Sequence, residues 1–179
     1  MVTAIELADA FNAGMGQRYA VRLCGGAEEP FYKAASESTP YATIVYRADY
    51  LRSALHELAH WCIAGTVRRG LDDYGYWYEA DGRSFEQQLA FMRVEAKPQA
   101  LESIFCRVLG IPFQVSLDNL ENGFTRAVTQ QFADQVSDEV LRLRAIVWPQ
   151  RWLELQELLL QLAESYSAFH ENQCHTQRA

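Results

Sequence analysis

The chain has 179 residues, of which 49% are hydrophobic and 22% are charged, values typical of one globular domain that can bury its own core. Its formal net charge is −7 and its pI is about 5.1. These values argue against a protein that grips nucleic acid through phosphates, and against adsorption to anionic membranes, since both need a basic surface.

The N-terminal residues lack the basic start and continuous apolar run of a signal peptide, and no apolar run approaches membrane-spanning length. Four cysteines, Cys24, Cys62, Cys106 and Cys174, are scattered without a Cys-x-x-Cys pair. This pattern indicates reduced thiols rather than a disulfide framework or a thiolate zinc site. We therefore predict a cytoplasmic protein that binds neither nucleic acid nor membrane directly.

The N-terminal third predicts one short helix and two strands. Thr3 and Glu6 have the spacing of a capping box, which predicts the start of the first helix. A first strand is predicted for residues 19–23, closed by a glycine turn at residues 25–26. Residues 43–46 are rich in β-branched and aromatic side chains and predict a second strand, which leads within a few residues into the next helix.

That next helix contains the pattern His-Glu-x-x-His in residues 56–60. Residues four apart lie on one helix face, so His56 and His60 can direct both imidazoles at one point. Asp49 is the predicted N-cap, and Gly65 marks the predicted exit. Two convergent imidazoles with Glu57 between them indicate a metal site, although the motif alone says little about the reaction.

Aromatic side chains follow in a cluster, after Asp72 and Asp73. The cluster consists of Tyr74, Tyr76, Trp77 and Tyr78. It fits equally well a substrate entrance and a short hairpin whose aromatic face packs on the core.

The remaining chain predicts mostly helices. Ser84 is the predicted N-cap of a helix that reaches Pro98, which either kinks that helix or opens the next one. A further strand is predicted for residues 111–117, followed by a long helix that stops near Pro149 and a last helix from residue 152 to 166. We predict an α+β fold with a single domain over residues 1–170 and a polar tail over residues 171–179.

Two imidazoles do not complete a metal site, and no histidine lies between His60 and His170. Zinc hydrolases and non-haem iron oxygenases both use such a pair with a third ligand from outside the helix. We favour Glu95 as that ligand, because a carboxylate among apolar neighbours is costly to bury without a cation. The candidate carboxylates are Asp72, Asp73, Glu79, Asp81, Glu86, Glu95, Glu102 and Asp118.

Several sequence blocks, in this order, resemble the bacterial elongation factor P hydroxylase family. They are HELAHWCIAG at 56–65, RR at 68–69, YGYWY at 74–78, DGR at 81–83, VEAKPQAL at 94–101 and DNL at 118–120. The likeness runs from about residue 27 to residue 121 and extends more loosely over the rest of the chain.

The resemblance implies a monooxygenase that hydroxylates one lysine side chain of elongation factor P after that lysine has been β-lysylated. It also implies a metal centre with His56, His60 and Glu95 as ligands. By the same implication, the fold is α+β and similar to that of the metal-dependent endoribonucleases of rRNA maturation, without the jelly roll of 2-oxoglutarate oxygenases.

On this interpretation Fe(II) is the metal and dioxygen the co-substrate, because zinc is not redox-active. Glu57 would manage protons. The aromatic cluster would flank the lysine stem, and Asp72, Asp73 or Asp118 would meet its ammonium groups.

Three alternatives remain open from the sequence. One is a zinc peptidase in which Glu57 activates water. Another is a metal-dependent ribonuclease, which the acidic pI disfavours. The third is a non-catalytic adaptor stabilised by metal.

Overall fold

The computed structural model describes residues 1–75, 83–118 and 125–176. Within these ranges it contains six α-helices and a three-stranded sheet, which confirms the α+β prediction. The helices are α1 (Ala4–Phe11), α2 (Leu51–Ile63), α3 (Thr66–Arg69), α4 (Phe85–Val108), α5 (Arg126–Ala145) and α6 (Gln150–Thr176). The strands are β1 (Val21–Ala27), β2 (Phe31–Lys33) and β3 (Ala42–Arg47).

Strand β3 is the centre of the sheet, parallel to β1 on one side and antiparallel to β2 on the other. Its residues Ile44, Val45 and Tyr46 are all buried, as expected for a strand covered on both faces. The predicted strand at residues 43–46 is confirmed. The backbone N–H of Arg47 donates to Ser53 Oγ at 2.9 Å, which ties the end of β3 to the first turn of α2.

The predicted glycine turn at residues 25–26 is wrong, because β1 continues through both glycines to Ala27. The pairing of β1 with β3 shifts register between Cys24 and Ala27, and Gly26 accommodates this bulge with a φ of 97°. A Cβ on Gly25 would lie 2.6 Å from the Tyr46 ring. The glycines therefore allow β1 to bulge beside β3 instead of ending the strand.

The predicted N-cap of α2 is also wrong. Ala48 has a φ of 44°, and the helix starts after Tyr50, whose side chain makes no capping hydrogen bond. The turn after β3 thus moves the cap one residue beyond Asp49. The predicted exit is confirmed, since α2 ends at Ile63 with Ala64 as its C-cap.

Helix α6 holds the C-terminal end of α2 in place. The Trp152 indole N–H donates to the Cys62 carbonyl at 2.9 Å, and Arg151 Nη2 donates to the carbonyls of Cys62 and Ala64 at 3.0 and 3.1 Å. The Arg151 guanidinium also lies 5.0 Å from the centre of the Trp61 ring. The last carbonyls of α2 are therefore satisfied by side chains from a distant helix.

Helix α4 begins with the predicted capping box, in which Ser84 and Gln87 exchange hydrogen bonds. It continues through Pro98 as one helix of 24 residues, packs against α2, and ends before Gly110, whose φ is 67°. Pro98 therefore does not open a new helix.

The strand predicted for residues 111–117 is wrong, since residues 111–118 form no regular secondary structure. Side-chain amides of α4 take the place of a partner strand. Gln99 both donates to the Ser116 carbonyl at 2.8 Å and accepts from the Ser116 N–H at 3.0 Å. Gln88 donates to the Leu117 carbonyl at 2.8 Å.

One continuous core lies between the sheet and the helices. Its fully buried members include Leu7, Phe11, Leu23, Ile44, Leu55, Leu58, Leu101, Phe105, Phe132, Leu155 and Leu159. Helix α6 extends to Thr176, so part of the predicted polar tail is helical. None of the described helices has the length and apolar character needed to cross a bilayer.

Candidate metal centre

Two helices bring three potential metal ligands together. Helix α2 carries His56 and His60, and the facing helix α4 carries Glu95. His56 Nε2 lies 3.0 Å from His60 Nε2, and the two carboxylate oxygens of Glu95 lie 3.4 and 3.3 Å from these nitrogens. Within the described ranges, these residues are the one group of three or more His, Cys, Asp or Glu side chains whose ligand atoms converge.

These separations fit one shared cation. Ligand atoms at ~2.1 Å from one ion, at angles between tetrahedral and octahedral, are separated by about 3.0–3.4 Å. The side chain of Glu95 is only 7% exposed, whereas those of His56 and His60 are 25% and 18% exposed. The carboxylate is therefore buried, while solvent can still reach the two imidazoles. Two histidines and one carboxylate are ligands that suit both zinc and iron.

Protons compensate the buried charge when no cation is bound. Burial alone would raise the pKa of Glu95, but the charges of His60 and His56 and the hydrogen bond from His60 lower it to about 2. Burial alone would lower the pKa of His56, but its hydrogen bond with Glu102 and the surrounding carboxylates raise it to about 10. A metal ion at this point would replace a proton, because only a neutral imidazole can be a ligand.

A second glutamate of α4 contacts the other side of His56. Glu102 Oε2 lies 3.0 Å from His56 Nδ1, and Glu102 Oε1 accepts from Arg52 Nη2 at 3.1 Å. Glu102 was considered as a third ligand, but this position beyond His56 was not predicted. The signal in the sequence is its spacing of seven residues from Glu95, which places both side chains on one face of α4.

One protein family matches almost the whole chain. The family model described as "Elongation factor P hydroxylase" matches residues 10–175. The chain belongs to the elongation factor P hydroxylase family. A protein of Haemophilus influenzae named "Elongation factor P lysine hydroxylase" is 46% identical to it over 130 residues, which cover 73% of this chain and 72% of that protein. Membership of this hydroxylase family gives no support to the zinc-peptidase alternative.

Glu57 is another buried acidic group near the ligands in this hydroxylase-family chain. It lies on α2 beside His56 and is 8% exposed. Burial raises the pKa of its carboxyl group, although the neighbouring His56 and His60 oppose this. The pKa of Glu57 is thus shifted upward while that of Glu95 is shifted downward, so Glu57 retains its proton to a higher pH than Glu95 does.

Tyr74 is the one member of the predicted aromatic cluster that lies in the described ranges. Its ring stacks on Tyr32 at 4.2 Å and lies nearly parallel to the His60 ring at 6.3 Å. Tyr74 is buried, and its hydroxyl has no hydrogen-bond partner among the described residues. Tyr76, Trp77 and Tyr78 lie outside the described residues, so the entrance and hairpin hypotheses for the cluster both stay predictions.

Two of the three aspartates predicted to meet the substrate bond to strand β2 and the residue after it. Asp72 accepts from Lys33 Nζ at 2.6 Å and from the Ala34 N–H at 2.9 Å, and Asp73 accepts from the Tyr32 N–H at 2.8 Å. These bonds fasten the turn Asp72–Gly75 to strand β2. Asp118 is exposed, and its carbonyl accepts from the Arg83 guanidinium.

Proposed function

We propose that this chain hydroxylates the β-lysylated lysine side chain of elongation factor P, with dioxygen as co-substrate and Fe(II) held by His56, His60 and Glu95. The observation that carries the proposal is the convergence of these three side chains in a member of a hydroxylase family. The name of the Haemophilus influenzae relative supports a lysine of elongation factor P as the substrate.

Fe(II), when bound, would supply the dioxygen activation that an unactivated carbon–hydrogen bond needs, which zinc does not. The chain's own residues have the other tasks. His56 and His60 would hold the ion through Nε2 and Glu95 would hold it through its carboxylate. Glu57 would hold a proton, since its carboxyl group is buried beside the ligands. The Tyr74 ring lies nearly parallel to the His60 ring, with the ring centres 6.3 Å apart.

The overall charge of the chain supports a cationic substrate. Its formal net charge is −7, and a β-lysylated lysine carries ammonium groups that an acidic protein attracts. Tyr74, Tyr76, Trp77, Tyr78 and Asp118 stay our predicted substrate contacts. A translation factor as protein substrate implies work in the cytoplasm and no direct contact with nucleic acid.

One oxygen atom of dioxygen would enter the carbon–hydrogen bond and the other would leave as water, which takes two electrons from a reductant. The test is reconstitution with Fe(II) without oxygen, addition of β-lysylated elongation factor P and a chemical reductant, and admission of air. Intact-mass analysis of the elongation factor is the readout. We expect the mass of one oxygen atom to be gained with the wild-type chain and not with His60→Ala. Unmodified elongation factor P in a parallel reaction tests the need for β-lysylation.

A different result would overturn the proposal. No gain of oxygen with iron, together with cleavage of a peptide bond in the presence of zinc, would make the chain a hydrolase with Glu57 as base. Stoichiometric metal uptake without turnover on either form of elongation factor P would favour a metal-stabilised adaptor.

A further inference from the structure

Arg52, His56 and His60 repeat at intervals of four residues along one face of α2. Opposite them, Glu95 and Glu102 lie two turns apart on α4 and are 5% and 3% exposed. Each glutamate contacts two side chains of α2: Glu95 meets both histidines, and Glu102 meets His56 and Arg52. Glu95 contacts the Nε2 atoms that converge with it, whereas Glu102 contacts Nδ1 on the other side of His56. Glu102 is therefore not one of the three converging ligands.

We propose that Glu102 is a positioning residue that fixes His56 with its proton on Nδ1 and its lone pair on Nε2. This inference rests on the proposed metal site. The Glu102 carboxylate accepts from Arg52 on one oxygen, and we read the 3.0 Å contact between its other oxygen, Oε2, and His56 Nδ1 as a second accepted bond, which places a proton on that nitrogen. The Nε2 atom that faces His60 and Glu95 is then the ligand atom.

Arg52 holds the Glu102 carboxylate in place. Its Nε and Nη2 atoms both donate to Glu102 Oε1, at 3.2 and 3.1 Å, and so leave Oε2 for His56. Arg52 is itself held by the Gln114 carbonyl at 2.6 Å and by the Phe113 ring, whose centre lies 5.2 Å from the guanidinium carbon. The irregular segment 111–118 thereby supports the metal ligand through two intermediate side chains.

His60 provides an internal control, because no carboxylate among the described residues contacts its Nδ1 atom. Loss of Glu102 should therefore alter His56 and leave the tautomer of His60 alone. Partners of this kind behind a metal-bound histidine typically contribute about 10- to 100-fold to metal affinity.

The experiment uses the full chain with Zn²⁺ as a diamagnetic probe. Competition with a chelating dye gives the affinity, and NMR of ¹⁵N-labelled histidines gives each tautomer. We expect Glu102→Ala to lower Zn²⁺ affinity by about 10- to 100-fold and to move the His56 signals. Glu102→Gln should restore the His56 tautomer, because its amide oxygen accepts from Nδ1–H. The matched control Glu86→Gln, on the exposed start of α4, should change neither readout.

The outcomes separate this inference from the proposed function. If the wild-type chain takes up no Zn²⁺, the metal site fails and the role of Glu102 fails with it. If it binds Zn²⁺ while Glu102→Ala binds as tightly with unchanged His56 signals, the positioning role alone is overturned. Circular dichroism monitors folding. If Glu102→Ala does not fold, the NMR spectrum of the Zn²⁺-loaded wild-type chain decides the matter, because a His56 without its proton on Nδ1 overturns the positioning role.

Discussion

Two groups of carboxylates differ sharply in their surroundings. Glu95 and Glu102 are buried where α4 contacts α2, and Glu57 is buried on α2, whereas Asp72 and Asp73 lie on the turn that meets strand β2. The side chain of Asp72 is 54% exposed. Residue type alone therefore does not predict whether an acidic side chain binds a substrate or a metal. The exposed aspartates bond to the sheet, whereas the buried glutamates lie beside imidazoles.

The energetic costs of the two groups differ as well. A buried carboxylate without a partner costs several kcal/mol, so Glu95 and Glu102 destabilise the fold unless His56, Arg52 or a metal ion compensates. The aspartates instead accept from the Tyr32 and Ala34 N–H groups at the outer edge of β2. They protect an edge that would otherwise be open to pairing with another chain.

The largest effect is expected from Glu95→Gln, which removes the buried ligand charge. We expect metal affinity to fall by more than about 100-fold, since even a residue behind a ligand contributes 10- to 100-fold, and hydroxylation to fall to background. Dye competition and intact-mass analysis measure the two effects. Glu86→Gln on the same helix is the control, and wild-type metal affinity in Glu95→Gln would exclude Glu95 as a ligand.

The next effect separates Glu57 from the other buried glutamates. Glu57→Gln should retain metal affinity within about threefold but lower the hydroxylation rate by ~10²-fold, because a proton-holding group of this kind contributes 10²–10⁴-fold. Single-turnover kinetics with the metal content matched to wild type measure the rate. An unchanged rate would remove Glu57 from the mechanism, and a matching loss of metal would make it part of the metal site.

The two histidine ligands on α2 could be predicted from the sequence because they are four residues apart in one helix. His56 and His60 are neighbours in any helix that contains them, and helical periodicity identifies α2. Glu95 comes from a second helix, so residue patterns left it among eight carboxylates and the family resemblance singled it out. The structure brings Glu95 to the two histidines, while its role as a ligand stays a prediction.

What the sequence did not predict depends on contacts between distant segments. The role of Glu102 needs the packing of α4 on α2, which no periodicity reveals. Residues 111–117 alternate like a strand, but their hydrogen-bond partners are the Gln99 and Gln88 amides. Likewise β1 can continue through residue 25 because this residue is glycine. A Cβ there would collide with the Tyr46 ring.

A smaller effect concerns the aspartates and the stability of the fold. Asp73→Ala leaves the Tyr32 N–H without its acceptor and puts alanine at a φ of 46°, where aspartate and asparagine are better tolerated. We expect a loss of about 1–3 kcal/mol in the free energy of unfolding. Urea titration measures it, with Asp73→Asn as the control that keeps an acceptor oxygen. Equal stability of the two variants would mean that the bond contributes nothing.

The smallest effect is the pH dependence from Asp72. The hydrogen bonds from Lys33 and from the Ala34 N–H lower the pKa of Asp72 in the folded chain. Its contribution to stability is thus present above the pKa of an unfolded aspartate, about 3.9, and is lost as the pH falls through the lower folded value. Wild type should exceed Asp72→Asn in urea midpoint at pH 7, and the difference should shrink below about pH 4. If the difference in urea midpoint stays the same at low pH, the introduced amide group and not the lost charge causes it. The charge of the exposed Asp72 would then contribute nothing to stability, unlike the charges of the buried carboxylates.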